Sequence, residues 1–151
     1  MPETVAFAGN ARYGAGGQGE FLRQMTAALG GRAGAVIYAR DPGPIPNGVA
    51  VPRGTAARAA LAAIRSVPWV RGRDDWTTLI DDRDFDAGVA RLRGRASIFD
   101  GVMGQCAISA AAARRDGAAL VVTSLNTHID ALSEVLDRER ARTRAAAPSF
   151  V

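Results

Sequence analysis

The chain contains no lysine, one cysteine and one histidine. A single cysteine, Cys106, excludes an intrachain disulfide, and with His128 as the only histidine the nitrogen and sulfur ligand sets of structural zinc cannot be assembled. No apolar run reaches the roughly 18 residues that span a bilayer. The richest such run, Cys106 to Ala113, stops at Arg114-Arg115. The first strand-like run, Thr4 to Gly9, starts so near Met1 that a charged n-region and an apolar h-region have no room before it, and the expectation is a soluble, cytoplasmic protein. With no lysine, the formal net charge of +4 rests on arginines scattered among 15 carboxylates, unlike the clustered basic face of a nucleic-acid binder. The densest basic stretch, Arg138, Arg140, Arg142 and Arg144, falls towards the end of an expected helix, where positive charge complements the dipole. Peripheral contact with a membrane or a partner is the other reading of that stretch.

What the chain does have is glycine in one place. Between the run Thr4 to Gly9 and the helix-like run Glu20 to Leu29 lies Tyr13-Gly14-Ala15-Gly16-Gly17-Gln18-Gly19. Glycines let a backbone turn tightly and approach a ligand, and the free N–H groups and positive end of the following helix attract a phosphate. The spacing Gly14-x-Gly16-x-x-Gly19 matches the dinucleotide fingerprint in letters. In that fingerprint the first glycine follows the strand at once, whereas here Asn10, Ala11, Arg12 and Tyr13 intervene.

The 151 residues suit one domain. Apolar β-branched runs alternate with Ala-rich helical runs, the pattern of a three-layer α/β domain with a mainly parallel sheet. Strands are expected near Val5–Ala8, Ala35–Ala39, Ala96–Phe99 and Leu120–Ser124, with a short one at Val49–Val51. Helices are expected near Gly19–Leu29, Thr55–Ser66, Phe85–Leu92, Gln105–Arg115 and Ile129–Ala146, with Asp84 as an N-cap and Gly30-Gly31 and Gly117 as stops. Arg40 to Gly48 reads as a surface loop, and Val67 to Thr78, with Trp69 and Trp76, gives no clear element. Ligands of such folds bind at the carboxyl ends of the strands. That edge gathers the glycine loop, Arg40 to Pro44, Asp100 to Gln105 and Leu125 to Asp130.

Three constellations bear chemistry. His128 follows a strand near a helix start, where a neutral imidazole hydrogen-bonding a substrate hydroxyl is the easier state; capping or packing is the alternative. Gly104-Gln105-Cys106-Ala107-Ile108 partly resembles a nucleophile elbow, with Ile108 in place of the second glycine. Its cysteine would act, if at all, with His128 as base. The run Asp81-Asp82-Arg83-Asp84-Phe85-Asp86 fails as a calcium loop, since the sixth position from Asp82 is Ala87 and the twelfth is Arg93. An acidic helix N-terminus accounts for it instead.

The order of these pieces resembles the amino-terminal half of family 4 glycosyltransferases of the GT-B fold. The resemblance rests on Gly14 to Gly19 followed by Glu20-Phe21-Leu22-Arg23-Gln24-Met25, then Phe85-Asp86, Asp100-Gly101-Val102-Met103-Gly104, Ala113-Arg114-Arg115-Asp116-Gly117-Ala118, and His128 with Glu139. It implies a Rossmann-like domain facing a second one, with metal-free, retaining transfer of a sugar from a nucleotide-sugar donor to an acceptor and no further cofactor. By position, Gly16 and Gly17 would approach the donor pyrophosphate and His128 the transferred sugar. Acceptor contacts would fall to Tyr13, Gln18, Met103, Gln105 and Asn126. The second, carboxyl-terminal Rossmann-like domain is missing, so the resemblance implies a fragment, a truncated frame or a split enzyme that is inactive alone. Rival readings are a dinucleotide-binding module with Asp41 on a ribose, a Cys106/His128 hydrolase, and a non-catalytic interaction domain.

Overall fold

The computed structural model describes residues 4–29, 34–68, 70, 74–125, 134, 138 and 141–142. Its elements run β1 (Val5–Ala8), α1 (Gly16–Leu29), β2 (Ala35–Ala39), β3 (Gly48–Ala50), α2 (Thr55–Ser66), α3 (Asp74–Leu92), β4 (Ile98–Val102), α4 (Ala107–Arg115) and β5 (Ala119–Thr123). The five strands form one all-parallel sheet in the order β3-β2-β1-β4-β5. This is a Rossmann-like three-layer α/β fold. The chain moves outward from β1 in one direction, then restarts beside β1 with β4, which places the topological switch between the carboxyl ends of β1 and β4.

Strand alternation sends side chains to two separate cores. Ala6, Ala8, Tyr38 and Phe99 pack with Phe85 and Val89 of α3, Val51, and Cys106 and Ala113 beside and on α4. Phe7, Ile37, Ala39 and Val102 face the other way, against Leu22 of α1 and the buried Ala11 and Ile45. The Phe7 and Phe21 rings, tilted at 58° with centroids 6.0 Å apart, seat α1 on its face of the sheet. Among the described residues no helix is long and apolar enough to cross a membrane.

The sequence expectation is met for β1, β2 and α2, and displaced by one to three residues for most of the others. The large correction concerns α3. It begins at Asp74, well before the expected start at Phe85, so the acidic run lies inside a helix and not at its N-terminus. Aspartate is a poor helix former, yet these aspartates serve neighbouring elements. Asp84, expected to cap its own helix, instead accepts the Gly54 N–H at 3.2 Å, where α2 begins. Asp86, 4 % exposed, accepts the Ile108 N–H at 2.7 Å, the Ser109 N–H at 2.8 Å and the Ser109 hydroxyl at 2.6 Å. The first turn of α4 is therefore capped from α3, while Cys106 at its own N-cap position supplies no side-chain bond. The expected last helix, Ile129–Ala146, lies mostly outside the described residues; 134, 138, 141 and 142 are helical.

Replacing Asp86 should therefore loosen α4 more than an ordinary surface aspartate would. Asp86→Ala is expected to cost about 2 kcal/mol, the upper end for loss of a cap. Asp86→Asn, which keeps one acceptor oxygen, should cost less. Urea unfolding at unchanged m-value measures both, and an Asp86→Ala midpoint equal to wild type would show that the cap carries no stability.

Candidate functional site

Five segments meet at the carboxyl edge: the β1–α1 loop, the end of β2, the segment from β3 into α2, the amino-terminal half of α3, and the β4–α4 turn with Gln105. The β1–α1 loop does not leave the sheet at once. Arg12 bridges to Asp41 in parallel register, and Tyr13 N–H donates to the Asp41 carbonyl at 2.9 Å, so the residues between Gly9 and Gly14 prolong the β1–β2 pairing. Asp41 Oδ1 in turn accepts the Gly43 N–H at 3.0 Å, a local turn bond that engages the carboxylate a dinucleotide reading would assign to a ribose.

Within the glycine loop the residues divide their work. Gly14 and Gly16 have positive φ of 69° and 62°, a region that favours glycine. A Cβ on Gly19 would run into the Arg12 carbonyl oxygen, so Gly19 lets α1 close on the loop. Gly17 answers to neither constraint: its φ is not positive and, among the described residues, a Cβ there would meet nothing within 4 Å. The N–H groups of Gly16, Gly17 and Gln18 have no acceptor in the preceding loop, as expected for the first turn of a helix, and all three residues are exposed. The sequence expectation started this helix at Gly19. The earlier start puts Gly16 and Gly17 into the first turn.

Beside the loop is a cleft of about 330 Å³. Asn10, Gln18, Asp82 and Gln105 wall it at the switch point, and Arg53, Asp81, Thr77 and Thr78 on the other side; Leu61 and Arg65 complete the lining. Asn10 ties the walls together. Its backbone N–H donates to Gln105 Oε1 at 2.8 Å, its Nδ2 donates to Asp82 Oδ1 at 2.6 Å and Asp81 Oδ2 at 3.3 Å, and its Oδ1 accepts Arg40 Nε at 3.1 Å. Arg40, with a side chain only 8 % exposed, also donates to the carbonyls of Val51 and Asp81 and to the carboxylates of Asp81 and Asp84, at 2.8 to 3.0 Å, and lies over the Phe85 ring at 5.4 Å. Arg53 forks onto Asp81 at 2.7 and 3.1 Å.

These partners set the carboxyls apart. Burial pushes Asp81 up, but the Arg53 hydrogen bond, the Arg40 charge and the Asn10 amide together outweigh it and hold the group below the usual range. For Asp82, burial dominates and Asp81 adds repulsion, so the carboxyl lies above its ordinary value despite the Asn10 bond. Burial likewise raises Asp100, which lies within β4 and accepts the Thr123 hydroxyl at 2.9 Å.

The sequence-derived site residues fall into three groups. Gln18 and Gln105 meet across the cleft, with Gln105 Nε2 3.4 Å from Gln18 Oε1. Tyr13 packs its ring towards Gly43 and joins the α1-side core, and Met103 is 59 % exposed on the β4–α4 turn; neither lines the cleft. Asn126 and His128 lie outside the described residues. Cys106 is buried against Gly101, and burial followed by the charges of Asp86 and Asp100 raises its thiol. A helix N-terminus stabilises a thiolate, but Asp86 occupies that end through the Ile108 and Ser109 N–H groups, which disfavours a nucleophilic role. Sequence reasoning placed Arg40 on this rim without giving it a role, and passed over Asn10 and Arg53. Their positions just beyond β1, β2 and β3 were the available signal.

Comparison with known proteins gives no match to a family model, a curated protein or a solved structure.

The two adjacent aspartates should respond oppositely to pH. A folded-state pKa below the unfolded one contributes stability above the unfolded value and loses it as pH falls through the folded value; a raised one opposes ionisation of the folded state as pH climbs. Asp81→Asn should therefore melt well below wild type at neutral pH, with the gap closing on acidification. The melting temperature of Asp82→Asn should gain on wild type as pH rises through the carboxylate range. Circular dichroism melts across that range check both, and parallel pH trends for the two variants would contradict the opposed environments.

Proposed function

We propose that this domain binds a nucleotide-sugar and forms the acceptor-side half of a retaining glycosyltransferase, completed by a second Rossmann-like domain in cis or in trans. The observation that carries the reading is Gly17. Of the loop glycines it alone is required neither by backbone conformation nor by packing, and it sits in an exposed helical first turn at the switch-point rim. A bare backbone there serves an incoming phosphate, whose oxygens take the N–H groups of Gly16, Gly17 and Gln18 and feel the positive end of α1. Arg12, lining the adjoining hollow of about 340 Å³, adds a nearby positive charge.

The family resemblance supplies the remainder of the reading: sugar transfer from the nucleotide, His128 as the group that contacts the moving sugar, and no need for a metal. The departing phosphate takes the acceptor proton in such a retaining transfer, so His128 acts by hydrogen bonding and positioning. One wall of a cleft cannot hold donor and acceptor in line. The chain alone should therefore bind donor without turning over.

The test contrasts two neighbouring glycines. Gly17→Ala should keep or slightly raise thermal stability, because alanine favours a helix by about 0.5–1 kcal/mol, while weakening nucleotide-sugar binding by calorimetry at least about tenfold. Gly19→Ala should destabilise the fold by driving its Cβ into the Arg12 carbonyl. Donor binding unchanged in Gly17→Ala, or multiple turnover by the chain alone, would overturn the proposal.

A further inference from the structure

We propose that the β5 edge of the sheet pairs with the β5 edge of a second copy of this chain, joining two sheets into one across a twofold axis at Val121. The inference rests on the strand order and on β5 itself, and depends neither on the glycine loop nor on a transferase activity.

The two edges of the described sheet differ in kind. An open edge presents unpaired backbone groups, and natural sheets blunt it with short strands, proline or charge. At one edge β3 has three residues and stands between Pro46 and Pro52. At the other, β5 has five, Ala119-Leu120-Val121-Val122-Thr123, with no charge, no proline and no glycine. Successive side chains of a strand point to opposite faces. Leu120, Val121 and Val122 are nevertheless 39, 46 and 52 % exposed, so both faces of β5 stay open to solvent, against the burial on both faces that is usual for such a run in a parallel sheet.

The ladder to β4 fixes which backbone groups are free. Ala119 N–H donates to the Ser97 carbonyl at 2.8 Å, and the Thr123 carbonyl accepts the Met103 N–H at 2.9 Å. Residues 119, 121 and 123 therefore turn their N–H and C=O groups to β4. Leu120 and Val122 turn theirs outward, where no described strand pairs with them. A second β5, antiparallel to the first, meets this need with the same two residues. Leu120 of one copy lies opposite Val122 of the other, each such pair exchanges both N–H···O bonds, and Val121 faces its own counterpart in the closer, non-hydrogen-bonded position. Apolar side chains then meet on both faces of the joined sheet. No like charges are set opposite each other within the strands, and the nearest charged residue ahead of them, Asp116, is already held by Arg93 at 2.7 Å. β3, short and flanked by prolines, cannot reciprocate, so the contact is isologous and closes at two copies instead of growing into a fibre. The carboxyl edge, at the strand ends, remains open in both copies.

A single strand pair is a small interface, so association in about the micromolar range is expected. Sedimentation equilibrium on the full chain, up to about 0.1 mM, should show the mass rising with concentration from one chain to two. Single cysteines under mild oxidation test the register. Val121→Cys should link two copies, because a non-hydrogen-bonded antiparallel pair has its Cα atoms about 4.5 Å apart, within disulfide reach. Leu120→Cys and Val122→Cys face each other's positions and not their own, and should link far more slowly; the buried Cys106 adds no background. Val122→Pro removes an outward N–H that the intrachain ladder does not use and should weaken dimerisation at least about tenfold. Leu120→Lys, the kind of charge that protected edges carry, should do the same with an unchanged circular dichroism spectrum, and it decides alone if the proline variant fails to fold. The proposal is overturned if the chain stays monomeric throughout that range, the outcome expected if another segment of the chain or a different protein covers the edge. It is equally overturned if Val121→Cys links no faster than its two neighbours, or if Leu120→Lys dimerises as wild type does.

Discussion

The guanidinium of Arg40 is the interaction on which the carboxyl edge depends. It follows β2 directly, is almost wholly buried, and places its donors on Asn10 after β1, on the Val51 carbonyl after β3, and on Asp81 and Asp84 of α3. One planar fork thus fixes the ends of three strands relative to a helix. A lysine could not reproduce this, because a compact ammonium lacks the fixed directions that bind several acceptors in one plane. Buried ion pairs are poor sources of net stability, since desolvation offsets much of their attraction. The more economical account of Arg40 is geometric: it sets where the amino-terminal half of α3 lies, and that position makes one wall of the cleft.

Much of the fold was readable because it is written in periodicity. Val5–Ala8 and Ala35–Ala39 are short apolar runs bounded by polar or glycine residues, and Thr55–Ser66 has a clear helical spacing. Those signals are local. The start of α3 was not readable, because Asp81, Asp82, Asp84 and Asp86 argue locally against a helix interior, and their partners come from just beyond β1 and β2, the approach to α2 and the first turn of α4. Tertiary hydrogen bonds override propensity there. A run of aspartates that reads as an acidic helix start is thus a set of anchors for neighbouring elements.

The candidate site was legible in part for the same reason. The glycine loop announced itself by composition, and Gln18 and Gln105 were placed on one rim by topology alone. Asn10, Arg40 and Arg53 carry no motif; each is a polar residue one to three positions beyond a strand, and only the strand order shows that these positions converge. Cys106 illustrates the reverse case. Its elbow-like sequence suggested reactivity, but the buried thiol and the neighbouring Asp86 show a small core residue at a helix start that another element caps.

The loop and the cleft adjoin through Gln18, yet their chemistries differ. The first turn of α1 presents N–H groups with positive polarity that are unpaired among the described residues, whereas the cleft presents balanced charge and a carboxyl that burial raises above its ordinary range. A phosphate brought to Asp81 and Asp82 would meet negative charge without a surplus of arginine, and a hydroxyl brought to the bare first turn would gain only neutral hydrogen bonds. The edge is therefore electrostatically polarised along its length.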